Sequence, residues 1–243
     1  MNTLLALETA DTACGVAVWH NDACRAAAHI HRPRVHAARL TPLIQETLAH
    51  ADMSAGQVDA VAVSAGPGSY TGLRIGMSTA KGFAMARTLP LIPVPTLEAA
   101  AYALAPWASP GDLVVPTIDA RRNDVFAAAY LRTDESWSPL VDAGPYDIST
   151  LADAVWDATT GKGVIWCTGP GAEKAATPLR NHDAAQPVAS KIRVVPASHR
   201  ALSARHVAQR GWTLAHEGVR ADPRTVEPAY LKAFHGTPSA KSV

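Results

Sequence analysis

Alternating hydrophobic and polar residues near the start of the chain predict three short β-strands. These are Thr3–Leu7, Cys14–Trp19 and Cys24–Ile30. In the second of them, two valines alternate with other side chains. In His36–His50, leucine and isoleucine then recur at intervals of three and four residues, which predicts an amphipathic helix. Because Pro42 lies inside this segment, the helix either kinks there or begins three residues before it.

Strands and helices alternate over the following residues. Ala60–Ser64 and Leu91–Val94 have the apolar composition of short buried strands, and Thr71–Arg87 is patterned as a helix. Thr96 can cap a further helix that runs to about Ala105. The predicted order βββαβαβα is typical of a mixed sheet covered by helices, the ribonuclease-H-like arrangement.

A proline- and glycine-rich segment, Ala105–Gly111, predicts a linker before a second structural unit. Beyond it, Leu113–Asp119 and Asp124–Leu131 predict two strands of a new sheet. Ser136–Thr160 is weakly patterned, with a short predicted helix in its second half. Further on, the chain contains a buried-type strand and a helical segment, at Val164–Cys167 and His199–Gly211.

Composition excludes several classes of protein. The 243 residues carry 22 Lys and Arg against 21 Asp and Glu, a formal net charge of +1 at pH 7. This nearly balanced charge excludes a strong positive field over the whole protein that would attract nucleic acid. It does not exclude a local basic patch. Three cysteines without CxxC spacing predict neither a disulfide framework nor a structural zinc site. No apolar run reaches the roughly 18 residues that a membrane span requires, and we expect a cytoplasmic protein without a membrane partner.

A glycine–proline–glycine loop follows the strand Ala60–Ser64 and directly precedes a helix. Its glycines allow close backbone approach, and the N–H groups of the following helix could receive an anion. The spacing fits neither the P-loop nor the dinucleotide fingerprint, so a plain structural turn is an equally open interpretation. The loop residues are Gly66, Pro67, Gly68, Ser69 and Tyr70.

Small residues recur at every fourth position of the helix after this loop, at Gly72, Gly76, Ala80 and Ala84. Glycine within a helix costs about 0.5–1 kcal/mol relative to alanine, so such a stripe indicates close approach of another backbone. That backbone can belong to the chain's own sheet or to a helix of another chain. Sequence spacing does not separate the two interpretations.

The segment SAGPGSYTGLRIGMSTAKGFA resembles the signature of the TsaB (YeaZ-type) family. This is a bacterial tRNA threonylcarbamoyladenosine biosynthesis family in the M22 peptidase-homologue superfamily. Other parts of the chain resemble it as well, namely LLALETADTACGVAVW, VHAARLTPLIQETL, IDARRNDVFAAAY and EPAYLK. The matches are scattered over most of the chain and are thin across residues 132–195.

The resemblance implies an α/β fold of the actin-like/Hsp70/sugar-kinase (ASKHA) type, with two ribonuclease-H-like lobes built on mixed sheets. We expect a partner-binding N-terminal lobe over residues 1–106 and a C-terminal lobe over residues 107–212. Residues 213–243 are expected to return to the first lobe, with Glu227–Lys232 packed against it and a hinge near Ala105–Gly111.

The resemblance also implies partners. The family pairs with its paralogue TsaD, which carries the metal, the nucleotide and the threonylcarbamoyl transfer, and an ATPase, TsaE, joins the pair. We expect a non-catalytic scaffold that activates TsaD within a threonylcarbamoyltransferase complex. Alone, it would bind no cofactor; ATP or ADP would bind at the complex interface and tRNA only through the complex. Whether the isolated chain forms a homodimer stays open. The expected partner interface is His36, Leu40, Leu43, Ile44, Thr71, Gly72, Arg74, Ile75, Gly76, Thr79, Ala80 and Phe83.

Two catalytic alternatives remain. Glu8 stands where the family usually has aspartate, and in an active kinase-type fold Glu8, Asp119 and the Gly169 loop would surround ATP and magnesium. The chain could then be a self-sufficient ATPase or kinase. A metallopeptidase is disfavoured, because the helix beginning at Thr96 lacks the histidine pair of TsaD-type proteins. A metal role for the histidines near residue 30 is less favoured than a solvated strand end.

Overall fold

A computed structural model describes residues 1–134, 136–159, 163–185 and 189–231. Its first sheet has the strand order β3-β2-β1-β4-β5. Strands β1 (Thr3–Glu8), β2 (Ala13–His20) and β3 (Ala23–His31) form an antiparallel meander. Strands β4 (Ala60–Ser64) and β5 (Leu91–Val94) continue the sheet in parallel with β1. The three-strand start predicted from the alternating pattern is confirmed.

Helices cover both faces of this sheet. Helices α1 (His36–His50) and α2 (Tyr70–Arg87) pack on the face that presents Leu5 and Leu7 of β1. The opposite face, which presents the other residues of β1, is covered by α6 (Ala204–His216). Helix α1 begins at His36 and continues through its proline, so the alternative start three residues before Pro42 is wrong.

The second sheet repeats the topology of the first, with the order β8-β7-β6-β9-β10. Its strands are β6 (Leu113–Asp119), β7 (Asp124–Arg132), β8 (Trp137–Asp147), β9 (Ile165–Thr168) and β10 (Ile192–Val194). Again three antiparallel strands are extended by two parallel ones. The duplicated order confirms the expected α/β fold of two ribonuclease-H-like lobes with mixed sheets.

Helices α4 (Ile148–Ala158) and α5 (Ala172–Asn181) form the core of the second lobe with this sheet. The lobes meet through α3 (Thr96–Tyr102), whose Leu97 packs in one buried cluster with Ile118 of β6. Of the helices that the structure describes, none combines the length and apolar character of a membrane span.

The chain returns to the first lobe earlier than predicted. The expected boundary at residue 212 falls inside α6, and α6 packs on β1 and β2 of the first sheet. The return therefore begins by residue 204. Further along, the Ala221 N–H donates to the Leu91 carbonyl, and the Ala229 N–H donates to the Ala65 carbonyl at 2.7 Å. The remainder of the predicted return, from residue 232, lies outside the described residues.

The predicted hinge segment joins α3 to β6. Its backbone is hydrogen-bonded at both ends, since the Trp107 N–H donates to the Leu104 carbonyl and the Gly111 N–H donates to the Arg132 carbonyl. A hinge at this segment stays a prediction.

Candidate functional site

Glu8 is the last residue of β1 and is only 1% exposed. Its Oε1 atom accepts hydrogen bonds from the Ala10 N–H at 2.6 Å and from the Ser64 hydroxyl at 3.0 Å. Burial raises the pKa of Glu8 to about 7, although these hydrogen bonds counteract part of the rise. The Oε1 atom of Glu8 is therefore engaged by hydrogen bonds within the chain.

The loop Gly66–Tyr70 is held by contacts within the chain. The Gly66 N–H donates to the Thr96 hydroxyl at 3.1 Å, and the Ser69 N–H donates to the Ala10 carbonyl at 2.6 Å. A side chain at Gly66, whose φ is +113°, would also meet the Ala229 carbonyl. Because these donors are satisfied internally, the structural-turn interpretation is favoured over a phosphate cradle.

The corresponding edge of the second lobe carries a carboxylate paired with a lysine. Lys174 of α5 donates to Asp119 at 2.7 Å and to the Asp124 carbonyl at 2.8 Å. Its ammonium group holds the pKa of Asp119 below its ordinary value. Gly169, with a φ of +86°, packs tightly against the Thr117 carbonyl. The three groups expected around ATP are thus each engaged in contacts within the chain.

The expected partner interface divides into two groups. One group is buried inside the first lobe and packs within the chain, so its part in a partner interface stays a prediction: His36, Leu40, Leu43, Ile44, Gly72, Gly76 and Ala80. They face the core because α1 and α2 turn their apolar stripes toward the sheet. The other expected residues lie at the surface: Thr71 and Arg74 are exposed, and Ile75, Thr79 and Phe83 are half-buried.

The predicted glycine stripe packs on the chain's own β1–β2 turn. A methyl group on Gly72 would overlap the Thr9 carbonyl, and one on Gly76 would overlap the Thr9 hydroxyl. Two residues along a helix correspond to about 200°, so positions two further on lie on the opposite side. This exposed side carries a second series at the same spacing, Arg74, Ser78, Gly82 and Ala86. The four-residue spacing also fits this exposed series, but we predicted only the series that begins at Gly72.

Aromatic side chains flank the exposed face of α2. The rings of Tyr70 and Tyr230 lie 4.7 Å apart, and the Arg74 guanidinium lies 5.6 Å from the Tyr70 ring centre. Lys81 and Glu227 form an ion pair at 3.1 Å beside them. The returning segment therefore borders this face along one edge.

Histidines in the first lobe serve its packing. His29 accepts a hydrogen bond from the Ala204 N–H at the start of α6, and His36 lies 3.2 Å from the Ala13 carbonyl. Across the four described ranges, no group of three or more His, Cys, Asp or Glu side chains is placed to hold a metal ion.

Comparison with known proteins adds to this geometry. A family model described as "TsaD: tRNA N6-adenosine threonylcarbamoyltransferase" matches residues 31–162. The "tRNA threonylcarbamoyladenosine biosynthesis protein TsaB" of Haemophilus influenzae is 41% identical over 132 residues, which are 54% of this chain and 54% of that protein. The protein of the same name from Escherichia coli K12 is 38% identical over 132 residues, 54% of this chain and 56% of that protein. This chain thus spans about half the length of the curated relatives that it matches.

A solved structure extends the similarity over nearly the whole chain. The structure titled "YeaZ from Pseudomonas aeruginosa" superposes with a TM-score of 0.72 at 25% sequence identity. The superposition covers 95% of this chain and 100% of that chain. The two-lobed architecture is therefore common to both proteins.

Proposed function

Because the chain belongs to the TsaB (YeaZ-type) family, we propose that it serves in the formation of tRNA threonylcarbamoyladenosine. Its role there is that of a non-catalytic subunit that pairs with a TsaD-type threonylcarbamoyltransferase and activates it. The exposed face of α2, formed by Arg74, Ser78, Gly82, Ala86 and Met85, is the surface that contacts this partner.

The assignment of this face of α2 to the partner rests on the open space around Gly82. A methyl group built at Gly82 would have no neighbour within 4 Å, so packing within the described part of the chain does not require glycine there. Glycine at a helix interior nevertheless costs about 0.5–1 kcal/mol relative to alanine. Ser78 and Ala86, one turn away from Gly82 on either side, are also small and exposed. A partner helix can therefore approach this face of α2 closely. Met85, which is 55% exposed, supplies apolar surface beside these small residues.

The chain's own polar groups favour a non-catalytic role over a self-sufficient ATPase. Glu8 is enclosed by hydrogen bonds, Asp119 is paired with Lys174, and the Gly66 loop is bound to the chain's own backbone. Under this proposal ATP or ADP binds at the interface with the partner, and TsaE acts on the assembled pair.

The test is to purify the chain with its TsaD-type paralogue, with Gly82→Leu as the variant and Gly82→Ala as the size control. Overpacking at a close helix contact typically costs about 1–3 kcal/mol, and 1.4 kcal/mol is tenfold in affinity. We expect Gly82→Leu to raise the Kd of the pair by about tenfold without lowering the melting temperature of the chain, because the position is open and leucine is a better helix former than glycine. Unchanged affinity for Gly82→Leu would contradict the assigned face.

Transfer assays with each subunit omitted test the catalytic role. We expect threonylcarbamoyl transfer to require both proteins. Transfer by this chain alone would overturn the proposal, and hydrolysis of ATP by this chain alone would favour the ATPase alternative.

A further inference from the structure

A cleft of about 420 Å³ opens between the end of β3, the turn after α3 and the start of α6. This volume lies in the range of about 300–1,000 Å³ that is typical of small-molecule sites. The cleft wall carries histidine, arginine, tryptophan, serine and glutamine side chains but no carboxylate. Its aromatic and cationic members are His29, His31, Trp107, His199, Arg205 and His206.

The four histidines of this cleft do not form a metal site. No three metal-ligating side chains converge within the described part of the chain. Nε2 of His29 already accepts the Ala204 N–H at 2.9 Å, and Nδ1 of His199 lies 2.8 Å from the Ser198 hydroxyl. The rings of His29 and His31 stack on each other with 6.1 Å between their centres and do not converge on one point with a third imidazole of the described ranges.

Arg205 gives the cleft a permanent positive charge. Its side chain is exposed in the first turn of α6, and within the described ranges it has no ion-pair partner. Burial and the neighbouring Arg205 charge lower the pKa of His206 to about 4, so this imidazole is neutral near pH 7. An arginine without a carboxylate beside it is suited to bind the oxygens of a phosphate group.

Trp107 gives the same cleft a flat apolar surface. Its ring makes an edge contact with His199 at 5.6 Å between centres, and the residue remains 48% exposed. Aromatic side chains in a positively charged groove are surfaces on which nucleic acid bases stack. Gln209 adds a neutral hydrogen-bonding group of the kind that binds ribose hydroxyls, while the Ser198 and Ser203 hydroxyls are engaged by His199 and His29.

We propose that this cleft binds a nucleoside monophosphate unit, with the base stacked on Trp107 and the phosphate at Arg205. The unit is either a free nucleotide or one residue of a single-stranded RNA. The site goes beyond the proposed function and does not depend on it, because the cleft lies on the α6 side of the first sheet and the proposed partner face lies on the α2 side. Pairing and nucleotide binding can therefore fail independently.

The experiment titrates the isolated full chain with AMP and follows tryptophan fluorescence and calorimetric heat. Trp107→Ala and Arg205→Ala are each expected to weaken AMP binding by about tenfold, since a base stack and a phosphate contact are lost separately. Trp107→Phe should restore most of the affinity because it keeps an aromatic ring. Arg39→Ala is the charge-matched control: Arg39 is exposed on α1, on the other side of the sheet.

Three further ligands are titrated in the same way: adenosine, inorganic phosphate and a short single-stranded oligoribonucleotide. We expect adenosine and phosphate to bind at least about tenfold more weakly than AMP, because each makes only one of the two contacts. A thermal melt of each variant checks that it is folded. If the oligonucleotide binds more tightly than AMP, the bound unit is a residue of single-stranded RNA. If AMP binds more tightly, the bound unit is a free nucleotide. Absence of AMP and RNA binding at millimolar concentration, equal binding of phosphate alone, or an equal loss in Arg39→Ala would overturn the proposal.

Discussion

Gly76 of α2 packs directly against the hydroxyl group of Thr9, in the turn that joins β1 to β2. Thr9 is fully buried, and its hydroxyl has no hydrogen-bond partner within the described ranges. One turn earlier, Gly72 lies against the Thr9 carbonyl. The backbone of α2 can approach the turn this closely only because both positions lack a side chain.

This contact predicts opposite effects at two glycines of one helix. Gly76→Ala should lower the free energy of unfolding by about 1–3 kcal/mol, because its methyl group must displace Thr9. Gly82→Ala should raise it by about 0.5–1 kcal/mol, because that position is open and alanine is the better helix former. Urea unfolding of the two variants measures both changes. Equal effects at the two positions would show that the contact with Thr9 does not limit the packing of α2.

The glycine stripe shows what sequence spacing can establish and what it cannot. Residues four apart share one face of a helix, and that prediction holds for Gly72, Gly76 and Ala80. Which face meets the core depends on the position of Thr9, a residue more than sixty positions away in the chain from Gly72. The exposed series through Gly82 has the same spacing, so only the tertiary structure separates a packing stripe from an open one.

The sequence pattern did not predict β8 and did not place α6, for different reasons. Strand β8 contains Pro139, Gly144 and Pro145, which interrupt the alternation by which strands are recognised. It lies at the edge of its sheet, where missing backbone donors are tolerated. Helix α6 was predicted as a helix, but its local pattern does not indicate which of two sheets it covers. Its small residues Ala204, Ala208 and Gly211 fit against the first sheet, a long-range match that no local pattern encodes.

The buried carboxyl of Glu8 predicts a pH dependence of stability. Its pKa is about 7 in the folded chain against an ordinary value of 4.5, so between these values the folded state holds a proton that the unfolded state has lost. Stability from this group therefore falls as pH rises through that window, by on the order of 3 kcal/mol, and changes little above it. Glu8→Gln keeps the side-chain oxygen that accepts the Ala10 and Ser64 hydrogen bonds but cannot ionise.

The effect of Glu8 on stability has to be separated from that of two buried histidines, His29 and His206. Burial lowers the pKa of both imidazoles, which makes stability rise with pH and opposes the contribution of Glu8. Unfolding of the native chain and of Glu8→Gln should therefore be compared at each pH from 5 to 8. We expect the variant to gain stability relative to the native chain as pH rises. A constant difference would show that Glu8 does not titrate in this range.

An ion pair links α6 to α3 at the junction of the lobes. Arg210 is 7% exposed, contacts Glu98 at 2.7 Å and lies 4.6 Å from the ring centre of Tyr102. Removing one partner of such a pair leaves a poorly solvated charge, so Arg210→Ala should cost about 3 kcal/mol of unfolding free energy. Lys81→Ala breaks an ion pair whose acidic partner is 72% exposed, and should cost at most about 1 kcal/mol. Thermal unfolding that ranks Lys81→Ala as the more damaging variant would show that burial does not set the contribution of these two ion pairs.

The returning C-terminal segment is expected to stabilise the loop before α2. A chain that ends after Arg224 loses the hydrogen bond from Ala229 to Ala65, the packing of Val226 and the ring contact of Tyr230 with Tyr70. One buried hydrogen bond contributes about 0.5–1.5 kcal/mol, and a partly buried valine adds a similar amount, so the truncation should cost about 2 kcal/mol.

Glu227→Ala is the matched control for this truncation. It removes only the ion pair with Lys81 and leaves the rest of the segment in place, so it should cost less than about 1 kcal/mol. Because the loop Gly66–Tyr70 is bound to Ala229 only in the longer chain, limited proteolysis should cut near this loop faster in the truncated protein than in Glu227→Ala. If both variants melt and are cleaved alike, the segment acts only through its surface ion pair and does not hold the loop.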